Sequence, residues 1–204
     1  MQLTGMLDSP YVRRVAISMR LMGLPYEHNP LSVFRNYEQF RQINPMVKVP
    51  TLVCDDGGIL MDSSLIIDYL DELVPPTKRL MPADPLARTR ARRNIGVALV
   101  ACEKAVQRFY ELTLRPADKQ YGAWLERVTQ QMTSAFEELE RVTAGARPWL
   151  HGASLRQDDI CTAVAWRFTQ FVMPDAMDLA RFPSLVVFSR RAEALQEFLA
   201  TPLD

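Results

Sequence analysis

The most constraining stretch of this 204-residue chain begins at Asn44 and reads NPMVKVPTLVCDDGGILMDSSLIIDYL. Thr51 to Cys54 is short, apolar and β-prone. Asp55-Asp56-Gly57-Gly58 supplies a turn that calls for positive φ angles, and Ile59 to Met61 resumes the extended pattern. Two strands this close, joined by such a turn, predict a β-hairpin. Ser63 and Ser64 are good N-cap residues for a helix carrying Leu65, Ile66, Tyr69, Leu70 and Leu73. Any fold for this chain must therefore accommodate strand, turn, strand and helix in immediate succession.

Two features of the stretch suit a ligand as well as a fold. Pro50 opens a strand, where a missing N–H frees one backbone edge, and a cis Val49–Pro50 bond would turn the Val49 backbone outward toward an extended ligand. Asp62-Ser63-Ser64 lies at a helix N-terminus, whose free N–H groups and dipole favour a carboxylate or phosphate. Asp62, just outside, suits an amine. An amino-acid end carries both groups. The plainer alternative is a hairpin with a capped helix and no ligand.

Upstream, Gln2 to Met6 reads as a strand. Ser9 is an N-cap and Pro10 stands at the N1 position of a helix burying Val12, Val15, Ala16, Met19 and Met22. Gly23-Leu24-Pro25 ends that helix, and Tyr26 to His28 begins a second strand, so a right-handed crossover and a parallel pair follow. Phe34 to Ile43 is a short polar helix. The order β-α-β-α-β-β-α is thioredoxin-like.

A proline-rich run from Val74-Pro75-Pro76 to Pro85 marks a boundary, giving an N-terminal domain at 1–76, a linker at 77–85 and a helical domain at 86–204. Leu86 to Leu114 predicts one long helix with Arg88, Arg90, Arg92 and Arg93 in its opening turns. Tyr121 to Val142 predicts a second helix antiparallel to it. Helices around 158–172 and from Pro183 complete the pattern.

The V-P-T-L hairpin followed by D-S-x-x-I-x-x-Y-L resembles the glutathione-binding half of the cytosolic glutathione transferase superfamily, and the helical remainder resembles its second domain. The resemblance implies that the Val49 backbone, before a cis Pro50, pairs with the cysteinyl part of glutathione. Asp62 and Ser63 would hold its γ-glutamyl end, and Lys48 would contact its glycyl end. The segment S-P-Y-V-R-R matches the place where bacterial, theta-like and zeta-like members carry a serine that donates to the glutathione thiolate. That role falls to Ser9, with Tyr11 as the alternative. Phe109, Tyr110 and Trp166, with Tyr11, would wall a second-substrate pocket. Family members usually begin the sixth helix with a Ser or Thr cap. Here Arg156 stands in that place, and Ser154 with Gln157 is a candidate shifted box ahead of Asp159.

The implied activity is a transferase that activates the glutathione thiolate for attack on a small electrophile, working as a homodimer. A glutathione-dependent isomerase is the alternative within the same chemistry. A non-catalytic interaction module, as in the stringent starvation protein that binds RNA polymerase, is the alternative outside it.

Formal net charge is zero, so no electrostatic argument favours nucleic acid or an anionic membrane. No apolar run approaches the roughly 20 residues needed to span a bilayer, and MQLTGM lacks the basic-then-apolar form of a signal, which leads to a cytoplasmic expectation. Cys54, Cys102 and Cys161 lie far apart, without C-x-x-C spacing and with only two histidines. Buried small hydrophobes are expected there, with neither metal nor disulfide. No cysteine lies near the first helix, which argues against a redox thiol.

Overall fold

Four short strands form one sheet in the order β2-β1-β3-β4, in a computed structural model that describes residues 1–203. β1 (Gln2–Thr4) runs parallel to β2 (Glu27–Asn29) and antiparallel to β3 (Thr51–Val53), which pairs antiparallel with β4 (Ile59–Met61). Leu3 faces Leu52 across the central pair, and both are fully buried. α1 (Pro10–Met22) makes the crossover between the parallel strands, α2 (Tyr37–Ile43) follows β2, and α3 (Ser63–Glu72) follows the hairpin. The thioredoxin-like order is as the sequence predicts.

α1 is buried nearly all round. Its apolar stripe Val12, Val15, Ala16, Met19 and Met22 is covered, and so are Arg13, Arg14 and Ser18. Arg13 is accommodated by the far end of the chain. Its Nε donates to the Thr201 carbonyl at 2.8 Å and Nη2 to that of Phe198 at 3.4 Å, while the guanidinium stacks 5.6 Å from the Phe198 ring. The chain accordingly forms two compact units. Residues from Met1 to Met81 join the stretch from Ala194 onward, and Pro82–Glu193 make the second unit. The sequence places everything after residue 86 in the helical domain. The terminal stretch departs from that because the two arginine-accepting carbonyls it carries have their donor on α1.

The second unit is helical: α4 (Pro85–Thr113), α5 (Gly122–Thr143), α6 (Gln157–Val172) and α7 (Pro183–Glu193). Arg93 pairs with Glu138 at 2.6 Å and Arg108 Nε donates to Thr129 at 3.1 Å, so α4 and α5 run antiparallel. Ala91, Ala98, Ala101 and Ala105 give α4 a buried small-residue stripe that lets neighbouring helices approach closely. Beyond it Trp166 sits edge-on to Phe136 at 5.2 Å and tilted against Phe182 at 5.3 Å, an aromatic core. Cys54, Cys102 and Cys161 are all buried as free thiols. A last short helix, α8 (Gln196–Leu199), belongs to the first unit.

At the start of α6 the shifted box of Ser154 and Gln157 does not form. Gln157 is already the first helical residue, and Arg156 occupies the cap position. The acidic N3 residue compensates: Asp159 accepts from Arg156 N at 2.7 Å and from Leu150 N at 2.8 Å. Its neighbour Asp158 accepts from Asn94 at 2.9 Å and His151 at 2.9 Å. Burial, and then the charge of Asp158, push the Asp159 carboxyl up from 3.8 to about 7. A carboxyl raised in the folded state stabilises the fold most below its unfolded value and loses that contribution as pH rises through its folded one. Over pH 4 to 7 the stability of the protein relative to Asp159→Asn is therefore expected to fall. Urea unfolding of both proteins across that range checks this, and a constant difference would place the ionised carboxylate at the helix start throughout.

Candidate active site

The candidate site is built around the first half of α1. Gly5 leaves β1 at φ +138°, and a side chain there would meet Val12 Cγ2 at 2.6 Å and Val49 Cγ1 at 2.9 Å. This close approach needs glycine, and it brings the loop before α1 against the residue preceding Pro50. The Gly5 carbonyl accepts from His28 Nε2 at 2.8 Å, which fixes that ring nitrogen as the protonated one. Ser9 caps α1 as expected. Its Oγ accepts a long bond from Val12 N, 3.5 Å, and its extended backbone positions the half-buried hydroxyl at the helix end. Tyr11 follows in the first turn, also half-buried.

The Val49–Pro50 bond is cis. The loop before it is held from below by Asn44, which is wholly buried. Asn44 donates to Thr51 Oγ1 at 2.8 Å and accepts from Met46 N at 3.1 Å, while the Thr51 hydroxyl donates to the Lys48 carbonyl at 2.6 Å. Lys48 leaves this loop with its side chain exposed. Gly5 and His28 are not legible as supports in the sequence because their partners lie on other segments, whereas the Asn44 and Thr51 bonds close within the 44–51 loop itself. Asn44 heading an N-P-x-x-K-V-P run was the one available sign of a loop with a built-in amide.

At α3 the cap differs from expectation. Asp62, at φ +69°, is the N-cap, and its Oδ1 accepts from Ser64 N at 2.8 Å, so Ser63 and Ser64 are the first helical residues. Aspartate tolerates left-handed backbone better than most residues, and the shorter serine reach does not compete with a carboxylate for that amide. Ser63 is buried, and it faces a residue the sequence reading left out: Arg14 Nη1 donates to Ser63 Oγ at 3.1 Å and to Ser64 Oγ at 3.3 Å. Val12 of α1 and Val49 thus both close in on Gly5, and Arg14 of α1 reaches the α3 N-terminus. Ser9, Val49, Asp62 and Ser63 all stand on segments joined through this one helix.

The second-substrate residues separate. Phe109 and Tyr110 lie near the end of α4 with their rings 6.1 Å apart. Tyr110 borders a surface pocket of about 460 Å³ shared with Gln107, Glu111, Leu114 and Trp124. Trp166 does not line a pocket. It has no exposed surface, being closed in by Phe136 and Phe182, because the buried side of α6 takes its largest side chain into the core. Among the described residues no cluster of His, Cys, Asp and Glu is suited to a metal ion.

A mixed thioredoxin-like sheet with a cis-proline loop and an acidic-serine helix start, followed by a separate helical unit, defines a two-domain architecture of thioredoxin-like and all-helical halves. The comparisons with known proteins agree. A family model described as glutathione S-transferase, N-terminal domain, matches residues 3–78. Maleylacetoacetate isomerase of Pseudomonas aeruginosa is 36% identical over 152 residues, covering 68% of this chain and 67% of that protein. The structure of a glutathione S-transferase from Methylobacterium radiotolerans, in complex with glutathione sulfonate, is 28% identical with a TM-score of 0.90, covering 98% of this chain and 93% of that one. A glutathione transferase family member from Pseudomonas fluorescens with bound glutathione is 27% identical with a TM-score of 0.85, covering 100% and 98%. This chain belongs to the glutathione transferase superfamily.

Proposed function

We propose that the chain binds glutathione at the α1–Val49–α3 site and lowers the pKa of its thiol with the Ser9 hydroxyl, so that the thiolate attacks a small electrophile. The observation carrying this reading is the joint placement around α1 of Ser9, the backbone before cis Pro50, and the Asp62-Ser63 helix start. The relatives that hold glutathione or its sulfonate support it. Asp62 and the α3 N-terminus would take the amine and carboxylate of the γ-glutamyl end, the Val49 backbone the cysteinyl amide, and Lys48 the glycyl carboxylate. Lowering a free thiol from about 8.5 by about two units needs roughly 2.7 kcal/mol. A charge-assisted hydrogen bond with the α1 dipole behind it has that magnitude.

Glutathione-dependent isomerisation is the second reading, favoured by the 36% identity to a maleylacetoacetate isomerase. The thiolate would add to a conjugated carbon–carbon double bond, rotation would occur about the resulting single bond, and expulsion of the same thiolate would restore the double bond. Both readings need the same activated sulfur, and an activity panel with haloaromatic and cis-enone substrates separates them. The proposed assembly is a homodimer, which sedimentation at micromolar concentration checks.

Thermal unfolding with and without millimolar glutathione tests the common part. A ligand that binds only the folded state raises the melting temperature. No shift would favour an interaction module without glutathione chemistry. In Ser63→Ala the shift is expected to shrink. Calorimetry should show affinity about 10- to 150-fold weaker, the range for losing one charged hydrogen bond, with KM rising more than kcat falls. Unchanged affinity would put the carboxylate elsewhere.

A further inference from the structure

Arg14 is only 3% exposed, and a guanidinium withdrawn from water without a counter-ion is costly. Among the described residues no carboxylate pairs with it. Its Nη1 acceptors are the hydroxyls of Ser63 and Ser64, and its buried Nε has no hydrogen-bond partner among the described residues. The charge is therefore held in place by two neutral hydroxyls at a helix N-terminus.

The hydroxyls make the arrangement directional. Each has two lone pairs and one proton. With a lone pair of each serine engaged by Arg14 Nη1, the protons are left to donate, and within the described residues neither has an acceptor. An incoming carboxylate would meet two O–H donors polarised by a cation behind them, together with the open N–H groups of α3. A neutral amide in the same place would gain far less from the charge.

We propose that Arg14 is a positioning residue for carboxylate recognition, orienting Ser63 and Ser64 as donors and making the site at the α3 N-terminus selective for a charged carboxylate over its neutral isostere. The proposal rests on the glutathione reading above, with the γ-glutamyl carboxylate as the group recognised. It adds Ser64 and Arg14 to the site and assigns the selectivity to a side chain that need not touch the ligand.

The test is calorimetric titration of the protein, Arg14→Lys and Arg14→Gln with glutathione and with its analogue bearing a carboxamide in place of the γ-glutamyl carboxylate. The unsubstituted protein is expected to prefer glutathione by about 10- to 150-fold. In Arg14→Gln the preference should narrow to about threefold or less, and Arg14→Lys should recover part of it. A variant that binds both ligands with the original ratio overturns the proposal and leaves Arg14 a structural tie between α1 and α3. Heat from neither ligand with the unsubstituted protein overturns the glutathione reading itself, a different result from a preserved ratio. If the variants do not fold, the guanidinium nitrogen resonances of Arg14 decide the matter in the unsubstituted protein. They should move on adding glutathione and stay near their free positions with the carboxamide, and equal responses to both overturn the proposal.

Discussion

In Ser9→Ala, the thiol of bound glutathione is expected to titrate near 8.5 instead of near 6.5, so that at pH 6.5 its ionised fraction falls from about one half to about one per cent. The higher-pKa thiolate is the stronger nucleophile, with a Brønsted slope of about 0.4–0.5, and returns part of the loss. The net expectation at pH 6.5 is a drop in kcat/KM of roughly five- to eightfold, reversed as pH passes 8.5. Glutathione affinity should change little, because the anchoring groups are Val49, Asp62 and Ser63. Ultraviolet titration of the bound thiolate and the pH profile of kcat/KM are the measurements. Coincident titration midpoints would leave Ser9 as a helix cap only and pass the sulfur to Tyr11 or a backbone amide. The cap itself is a modest contributor. Its bond to Val12 N is long at 3.5 Å, which places its loss toward the lower end of the 0.5–2 kcal/mol range for such caps.

Trp166→Ala is expected to act oppositely, damaging the fold and sparing the chemistry. Removing a buried aromatic leaves a cavity and costs about 3–5 kcal/mol. Phe136 and Phe182 each lose their contact with the indole and keep only each other as ring partner. For a chain of this length each kcal/mol lowers the melting temperature by about 2–4 °C, giving a fall of roughly 6–20 °C. At a temperature where the variant is folded, kcat/KM per folded molecule should stay within about twofold of the original. Calorimetry and kinetics on the same preparation check both halves. A small stability change with a large loss of electrophile turnover would return Trp166 to the substrate pocket.

These two residues also mark where the sequence is legible. Ser9 and Pro10 announce a helix start through chemistry confined to four residues, and the hairpin announces itself through alternating strands and a glycine turn. Local signals of this kind carried the thioredoxin-like order and the positions of Val49 and Pro50. Trp166 lies in a helix whose residues from Gln157 to Trp166 are buried without interruption, so no stripe distinguished core from pocket. Arg14 was hidden for the opposite reason. An arginine pair on an amphipathic helix reads as a solvated edge, and only the α3 serines, about fifty residues on, show it to be interior. Asp62 and Ser63 were correctly paired as a helix start. Which of them capped depended on a positive φ that no flanking glycine signalled.

The carbonyls that hold Arg13 carry a consequence for synthesis. They belong to residues 198 and 201, and the whole of Pro82–Glu193 intervenes between them and the rest of their unit. At roughly 5–20 residues per second, translation delays their arrival by about 7–27 seconds after the sheet and α1 have been made. Through that interval the nascent first unit carries an arginine on α1 without the acceptors that bury it. The unit holding α1 is therefore begun before the helical unit and completed after it, and a fragment ending near residue 81 would lack the acceptors that bury Arg13.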